Sequence, residues 1–352
     1  MSIYRQGLAV LAGFALVAAP AVVRPAAADA AVESAVSAKA EDRVLRVYNN
    51  NIENLVRNNA DGTCTRISGT DHLASMLVDD AGRTGTSRVV APDLLIVQQV
   101  RGIGQAQAYA DQLSARFRLP VGTYKAIVAW ANPEPWGHSH HCSAPALGAL
   151  KTRQTNGIIY HTGRLSLAAG DVSNYWSAGW LKPGTTYDGG QGCTLYKLPP
   201  TGTNESSDPN DPYYAKWKRT SAIAARFTIK ATGTTVFAAT MHLPNENAAN
   251  ACAGNGSTGI NGTGIHIGAD ATGLMNASTI RIVGVDANRS SSKIFPDALS
   301  GQGMTGYGTA ATSGSKKIDY LFVRGTVQPS PINHTVSGTK SNHRALYAFI
   351  GF

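Results

Sequence analysis

Apolar residues recur along the chain in short runs, and most of these runs have an extended rather than a helical pattern. Runs rich in β-branched and aromatic residues predict strands at 44–48, 92–97, 124–130, 156–160, 221–229, 235–241, 280–285, 318–323 and 345–350. Apolar residues at helical spacing predict helices at 72–78 and 103–117. Between them we expect a loop over 131–150, an irregular region over 170–218 and a long surface loop over 253–273. This proportion of strands favours two packed sheets with helices outside.

Several of the predicted strands end in polar residues that are poor strand formers. The run Ile280–Val285 is followed by Asp286 and Asn288, whose side chains lie on the same face of an extended chain. Taken alone, this ending is equally typical of an Asx turn that closes a strand. The same kind of ending recurs elsewhere, at Asn51, Gln99, His242, Asp319 and His343.

Two histidines, two aspartates and several amides at one rim would suit the hydrolysis of a phosphodiester. A histidine oriented by an aspartate can take a proton from water or stabilise the transition state. A divalent cation would neutralise charge on the phosphoryl oxygens. Spacing alone leaves the structural alternative open, since each histidine can simply be a hydrogen-bonding residue of the fold.

The first thirty residues have the pattern of a secretory signal peptide. Arg5 precedes an apolar run over 7–23, and small residues follow at 26–30. A membrane anchor is the weaker interpretation, because Pro20 interrupts a run that is already short for a bilayer span. We therefore expect residues 1–30 to be removed and residues 31–352 to form a single exported domain, a monomer with no stable membrane anchor and no evident protein partner.

Export makes disulfides permissible, and the chain has four cysteines without a C-x-x-C motif. Three pairings are possible. We favour Cys64–Cys142 and Cys193–Cys252 because they join sequence neighbours. The formal net charge of +9 favours polyanionic partners such as nucleic acid or anionic lipid headgroups, although exported proteins are often basic without binding either.

Seven short motifs follow one another over essentially the whole mature chain: NIEN, PDLLIVQQV, NGIIY, TMHLP, VDAN, KIDYLFV and SNHRAL. Their order resembles the endonuclease/exonuclease/phosphatase superfamily. The resemblance implies the DNase I-like fold, an α/β (α+β) sandwich of two β-sheets with helices on the outer faces. It also implies an active site between strand ends on one rim.

The resemblance implies roles for five residues. His343 would act as general base or transition-state stabiliser, and Asp319 would orient it. Asp286 and Asn288 would position the nucleophile and contact the phosphate. His242 would donate a hydrogen bond to the phosphate or the leaving group.

The metal positions depart from the family pattern. Asn51 matches the family's asparagine near the metal, but Gln99 replaces the glutamate that is the principal Mg²⁺ ligand, and Asn342 replaces the aspartate of S-D-H. Mg²⁺ normally binds one or two carboxylates plus waters and phosphates. A unit charge ~4 Å away contributes about 4 kcal/mol at an effective dielectric of ~20, before solvation is counted. We expect Mg²⁺ or another divalent cation to bind weakly here, with Glu53 or Glu246 as possible replacement carboxylates.

The expected function is that of a secreted phosphodiesterase that hydrolyses extracellular nucleic acid. Asn156 and Arg219 are weaker candidates for substrate contacts. One alternative is a catalytically impaired relative that binds polyanions. Another is a sphingomyelinase-like phospholipid phosphodiesterase, which would need an exposed apolar hairpin, and the segment 175–181 (YWSAGWL) is the candidate.

Overall fold

A computed structural model describes residues 43–79, 89–133, 142, 145–151, 153–177, 195–197, 222–242, 269–288, 303–308, 310–327 and 334–352. The strands of this part are β1 Val44–Asn51, β2 Val56–Asn58, β3 Cys64–Arg66, β4 Leu94–Val100, β5 Tyr124–Val128, β6 Thr155–His161, β7 Leu165–Ser177, β8 Leu195–Lys197, β9 Ala222–Ile229, β10 Thr235–His242, β11 Ile280–Asp286, β12 Thr305–Tyr307, β13 Asp319–Arg324, β14 Thr326–Val327, β15 Thr335–Val336 and β16 Ala345–Gly351. Its helices are α1 Gly69–Met76, α2 Ile103–Arg116, α3 Pro145–Lys151 and α4 Ala269–Asn276, with a 3-10 turn at Glu53–Leu55.

The strands form two mixed sheets of seven strands each and a small hairpin of β2 and β3. The first sheet has the order β14-β16-β1-β4-β6-β5, with β15 also paired to β16, and the second has the order β12-β13-β11-β10-β9-β7-β8. The neighbours β1 and β4 run parallel, as do β10 and β11. Parallel neighbours end at the same edge of a sheet, which gathers the residues at their carboxyl ends.

Alternation along the strands explains why the two sheets pack face to face. In β1, Leu45 and Val47 belong to the core between the sheets, whereas Tyr48 belongs to the outer cluster. In β11, Ile282 points inward and Val283 outward. Both faces of these strands are therefore apolar and covered, and full burial of each such side chain stabilises the fold by about 1.5–3 kcal/mol.

Helices cover the outer faces of both sheets. Leu73 of α1 and Leu113 of α2 pack into the cluster on the first sheet, together with Leu95 of β4. Met275 of α4 packs with Phe237 on the second sheet. The predicted two-sheet sandwich with outer helices is confirmed.

A buried polar bridge joins the sheets close to the rim. Gln98 donates from Nε2 to Asn49 Oδ1 and to Thr240 Oγ1, each at 2.8 Å. Gly284 permits this approach, because a Cβ at that position would meet Asn49 Oδ1 at 2.4 Å and Ile96 Cγ2 at 2.8 Å. The bridge fixes the register of the two sheets relative to each other where their polar ends meet.

Four predicted boundaries were wrong. The region expected to be irregular from 170 onward continues β7 as far as Ser177, and a shift of pairing with β9 between Leu167 and Val172 breaks the alternation there. Helix α3 lies inside the expected 131–150 loop, and α4 begins within the expected 253–273 loop. Helix α1 begins at Gly69 rather than at 72, because Ser68 caps it by accepting a hydrogen bond from Asp71 N.

The predicted disulfide Cys64–Cys142 is confirmed, with the two Cα atoms 5.3 Å apart. Cys193, Cys252 and the predicted signal peptide lie outside the described residues. Within the described part, none of the helices has the length and apolar character that crossing a bilayer requires.

Candidate active site

Strand pairing brings one group of predicted residues together at the rim of the second sheet. His242, the last residue of β10, is paired with Asp286, the last residue of β11. Asp286 is in turn paired with Asp319, the first residue of β13. His343 reaches the same place from the first sheet, two residues before β16. We call this group the histidine–aspartate cluster; its members are His242, Asp286, Asn288, Asp319 and His343.

His343 and Asp319 form a buried hydrogen-bonded pair. His343 Nδ1 lies 2.9 Å from Asp319 Oδ2 and 3.1 Å from Oδ1. Thr312 Oγ1 accepts a hydrogen bond from Asp319 N at 2.9 Å, which fixes the start of β13. Because Nδ1 is held by the carboxylate, the other ring nitrogen of His343, Nε2, is the one left for chemistry.

The carboxylates around His343 determine its protonation. Burial by itself lowers the pKa of His343, but the charges of Asp319 and Asp286, the hydrogen bond to Asp319 and the charge of Glu53 together raise it to about 10. In the protein without a bound cation, His343 is therefore an imidazolium at neutral pH, suited to donate a hydrogen bond or a proton.

Asp286 is held in place by donors from three directions. Its Oδ2 accepts a hydrogen bond from Asn51 Nδ2 at 2.7 Å and lies 3.5 Å from His242 Nε2 and 3.9 Å from His343 Nδ1. Its Oδ1 accepts from Asn288 N at 2.9 Å. The carboxylate is thus oriented at the centre of the cluster, between the two histidines.

Asn288 connects the end of β11 to His242. Its Nδ2 lies 2.8 Å from His242 Nε2. Its backbone is left-handed, with φ 53°, which turns the side chain back toward β10. The sequence predicted both residues as part of one site, and the structure brings them together.

We call the three predicted metal positions, Asn51, Gln99 and Asn342, the amide cluster, although among the described residues the side chain of Gln99 forms no hydrogen bond to the other two. Asn51 joins the two clusters, since its Nδ2 donates to Asp286 and its Oδ1 accepts from Glu53 N at 2.9 Å. Gln99 sits in an irregularity of β4 with a left-handed φ of 55°, and its backbone N donates to Asn156 Oδ1 at 3.3 Å. Asn156, a predicted substrate contact, is buried behind Gln99 and supports that bend.

A carboxylate lies within the amide cluster, at Glu53. Its Oε2 accepts a hydrogen bond from Asn342 N at 2.9 Å, and its Oε1 from Asn342 Nδ2 at 3.4 Å. The backbone of Glu53, Asn54 and Leu55 is left-handed at all three residues, with φ of 48°, 57° and 57°. Such conformations cost on the order of 1–3 kcal/mol each and are found mostly at functional sites.

Ser341 is a positioning residue that the sequence argument did not assign. Its Oγ donates to Asn51 O at 2.7 Å, and it accepts a hydrogen bond from His343 N at 3.1 Å. Ser341 therefore ties the loop before β16 to the end of β1. Its place in the S-N-H motif was the available indication.

No family model matches the sequence, and no curated protein matches it either. Among solved structures, the protein is similar to the human Nocturnin catalytic domain, with a TM-score of 0.47 and 13% identity over 88% of this chain and 95% of that one. It is also similar to an endonuclease/exonuclease/phosphatase from Bacteroides vulgatus, with a TM-score of 0.43 and 14% identity over 88% and 99% of the two chains. A third similar structure is a mannosyl-6-phosphatase from Bacteroides thetaiotaomicron, with a TM-score of 0.44 and 13% identity over 88% of this chain and 100% of that one. The activities stated in these names belong to the named proteins.

Two mixed seven-stranded sheets packed face to face, with polar strand ends gathered at one rim, form the arrangement that the motif series predicted. This is the two-sheet architecture expected of a DNase I-like fold. The two clusters lie side by side in it, joined by Asn51.

The donor chemistry of the amide cluster fits a hard divalent cation. Carboxylate and amide oxygens are the ligands that Mg²⁺ and Ca²⁺ prefer. Glu53 supplies a carboxylate beside Asn342, and Ser341 Oγ lies between that carboxylate and Asn51 O. Ligand atoms of Asp286, Asp319 and His343 also lie within 4.8 Å of one another. Both oxygens of Asp319 face His343 Nδ1, which suits this trio to proton handling; its carboxylates are also a second group that could hold a cation.

Some predicted residues fall on parts of the chain that the structure does not describe. Arg219, a predicted substrate contact, and Glu246, a possible replacement carboxylate, lie outside the described residues. The same holds for the side chains of the apolar segment 175–181.

Proposed function

We propose that the protein is a phosphodiesterase that hydrolyses phosphodiester bonds at the histidine–aspartate cluster. The observation that supports this most is the buried Asp319–His343 pair, placed 3.9 Å from the carboxylate of Asp286. A protein that only binds anions gains nothing from a carboxylate behind His343, because that carboxylate offsets the positive charge. An imidazolium oriented by one aspartate and placed beside a second is suited to acid–base chemistry.

In the proposed reaction, water attacks phosphorus and the bond from phosphorus to the leaving oxygen breaks. Asp286, fixed by Asn51 and Asn288, aligns the water and takes its proton. His343 donates from Nε2 to a phosphoryl oxygen, where negative charge develops in the transition state. His242, on the other side of Asp286, gives the leaving oxygen its proton, and Asp286 releases the proton taken from water to the solvent.

A divalent cation would supply further charge neutralisation on the phosphate. Glu53, Asn342 and Asn51 are the residues that would hold it. One carboxylate is a low negative charge for such a site, so binding is expected to be weak and to depend on the substrate phosphate as an additional ligand.

We infer that the substrate is extracellular nucleic acid. The formal net charge of +9 favours a polyanion, and the signal-peptide pattern of residues 1–30 supports export of residues 31–352 as the mature domain. N-terminal sequencing of the exported protein tests the processing step. A first residue after Ala30 agrees with it, and an intact N-terminus contradicts it.

Hydrolysis of single-stranded DNA and of bis(p-nitrophenyl) phosphate, with EDTA, Mg²⁺, Mn²⁺ or Ca²⁺, tests the activity. We expect cleavage by the native protein, and we expect His343→Ala to abolish it. His161→Gln is the matched control, because His161 lies at the opposite end of β6 from Thr155 and the site. If the folded native protein cleaves neither substrate with any cation, the proposed activity fails and the alternative of a polyanion binder is the one to test.

A further inference from the structure

A cavity of about 720 Å³ opens beside the amide cluster. Asn54 and Leu55 line it, and they directly follow Glu53, whose carboxylate contacts Asn342. Arg101 also lines it, two residues after Gln99. The cavity and the amide cluster are thus built on the same two chain segments.

The lining of this cavity is strongly positive. Three arginines line it, Arg66, Arg101 and Arg153, and the described lining residues include neither aspartate nor glutamate. None of the three guanidinium groups forms an ion pair with a carboxylate in the part of the chain that the structure describes. Burial lowers the pKa of Arg101, and the nearby charge of Arg66 lowers it further. Cationic groups that repel one another in a partly dry cavity favour an anionic occupant.

The walls of the cavity are held by bonds that do not depend on a ligand. Asn54 Nδ2 donates to Leu150 O at 3.1 Å and to Arg153 O at 3.0 Å, which ties the 3-10 turn to the end of α3. The disulfide Cys64–Cys142 connects β3, which ends at Arg66, to the chain just before α3. The arginines therefore converge on a site that is formed in advance, which lowers the entropic cost of binding.

The cavity is larger than one phosphate group. Volumes of roughly 300–1,000 Å³ are typical of small-molecule sites, so a phosphate could enter with the sugar or base attached to it. Gln112 also lines the cavity, and its buried Oε1 has no hydrogen-bond partner among the described residues. A carbonyl oxygen in that position suits an N–H or O–H donor on the same ligand.

We propose that this arginine cavity, defined by Arg66, Arg101 and Arg153, binds a neighbouring nucleotide of the substrate strand through its phosphate. This inference rests on the proposed function, in which the scissile phosphate sits at the histidine–aspartate cluster. It deepens that function by making the substrate a chain with at least two phosphates, so that a strand is bound in preference to a single phosphoester.

The test compares two variants that each remove three positive charges. The first is Arg66→Gln/Arg101→Gln/Arg153→Gln. The control is Arg118→Gln/Lys125→Gln/Lys230→Gln, whose side chains are exposed and lie outside the cavity. Binding of a fluorescent thymidine tetranucleotide is measured by anisotropy in EDTA, across a series of salt concentrations.

We expect the cavity variant to bind the tetranucleotide at least tenfold more weakly, and the control to stay within twofold of the native protein. The slope of log affinity against log salt should fall by at least about 0.7, the contribution of one single-strand phosphate contact. Equal losses in the two variants, or no binding by the native protein, would overturn the proposal. If the triple variant does not fold, the single variants Arg66→Gln and Arg153→Gln, both at exposed side chains, are compared with the native protein in the same binding assay.

Kinetics separate this inference from the proposed function. In hydrolysis, kcat/KM of the cavity variant should fall at least tenfold more for the tetranucleotide than for thymidine 5′-(p-nitrophenyl phosphate), which has one phosphate. An equal fall on both substrates contradicts a separate subsite. If the native protein hydrolyses neither substrate but the binding difference persists, the cavity stands and the proposed catalysis fails.

Discussion

The two halves of the site meet at Asn51 but differ in charge. The histidine–aspartate cluster places two carboxylates around an imidazole whose pKa they raise to about 10 against the effect of burial. The amide cluster offers neutral side chains and one carboxylate, Glu53. In the proposed function, the first half moves protons and stabilises phosphate charge by itself, whereas the second holds a cation only weakly. If this difference is functional, chemistry and cation binding should be separable by mutation.

The largest expected effect is on the rate. His343→Ala should lower kcat/KM for phosphodiester hydrolysis by about 10²–10⁴-fold, the usual contribution of a positioned acid or base. Asp319→Asn should lower it as well while leaving thermal stability closer to native, since the amide retains an acceptor for His343 Nδ1. A His343→Ala protein that is folded and fully active would move the chemistry to the amide cluster.

The second effect is on stability, and it concerns the histidine–aspartate cluster without cation. The pKa of His343 is about 10 in the folded protein against the ordinary 6.5. The imidazolium therefore stabilises the fold fully below pH 6.5, and this contribution is lost as pH rises from 6.5 toward 10. The loss should be on the order of a few kcal/mol.

Urea unfolding in EDTA at several pH values between 6 and 10 measures this contribution. The control is His343→Gln, which removes the titrating group. The free energy of unfolding of the native protein should fall more steeply with pH than that of the variant. Parallel slopes would mean that His343 titrates near its ordinary pKa and that the cluster is not as strongly charged as its geometry indicates.

The third effect addresses the amide cluster. Gln99→Glu/Asn342→Asp restores the two acids that the family pattern has. Even a third of the ~4 kcal/mol between charges ~4 Å apart would tighten Mg²⁺ binding about tenfold. Calorimetric titration with Mg²⁺, or the Mg²⁺-dependent rise in melting temperature, measures the Mg²⁺ affinity of the variant and of the native protein without reference to activity. Unchanged affinity would place the cation elsewhere.

Pattern predicted the strands and the residues at their ends, because β-branched runs and polar terminations are local properties of the sequence. That Asp286, Asp319 and His343 meet was implied by the resemblance of the motif series and not by local pattern. Pattern could not predict that the chain folds back at Glu53, since three consecutive left-handed residues, including Leu55, violate local preference and depend on tertiary contacts. The arginine cavity was missed for a related reason. Its arginines come from β3, from the residue after β4 and from the segment before β6, and only the fold brings them together.

The smallest expected effect tests how the two halves are coupled. Glu53 is the last of the groups that raise the pKa of His343, after Asp319 and Asp286. In Glu53→Gln, the neutral amide can still accept the hydrogen bond from Asn342 N, but the charge is lost. The pKa of His343, followed by NMR in EDTA, should fall by less than one unit, and Mg²⁺ affinity should fall several-fold. Asp71→Asn, at an exposed carboxylate on α1, is the control and should change neither quantity. A fall in Mg²⁺ affinity with no change at His343 would show that the clusters act independently, whereas a change at His343 alone would exclude Glu53 as a cation ligand.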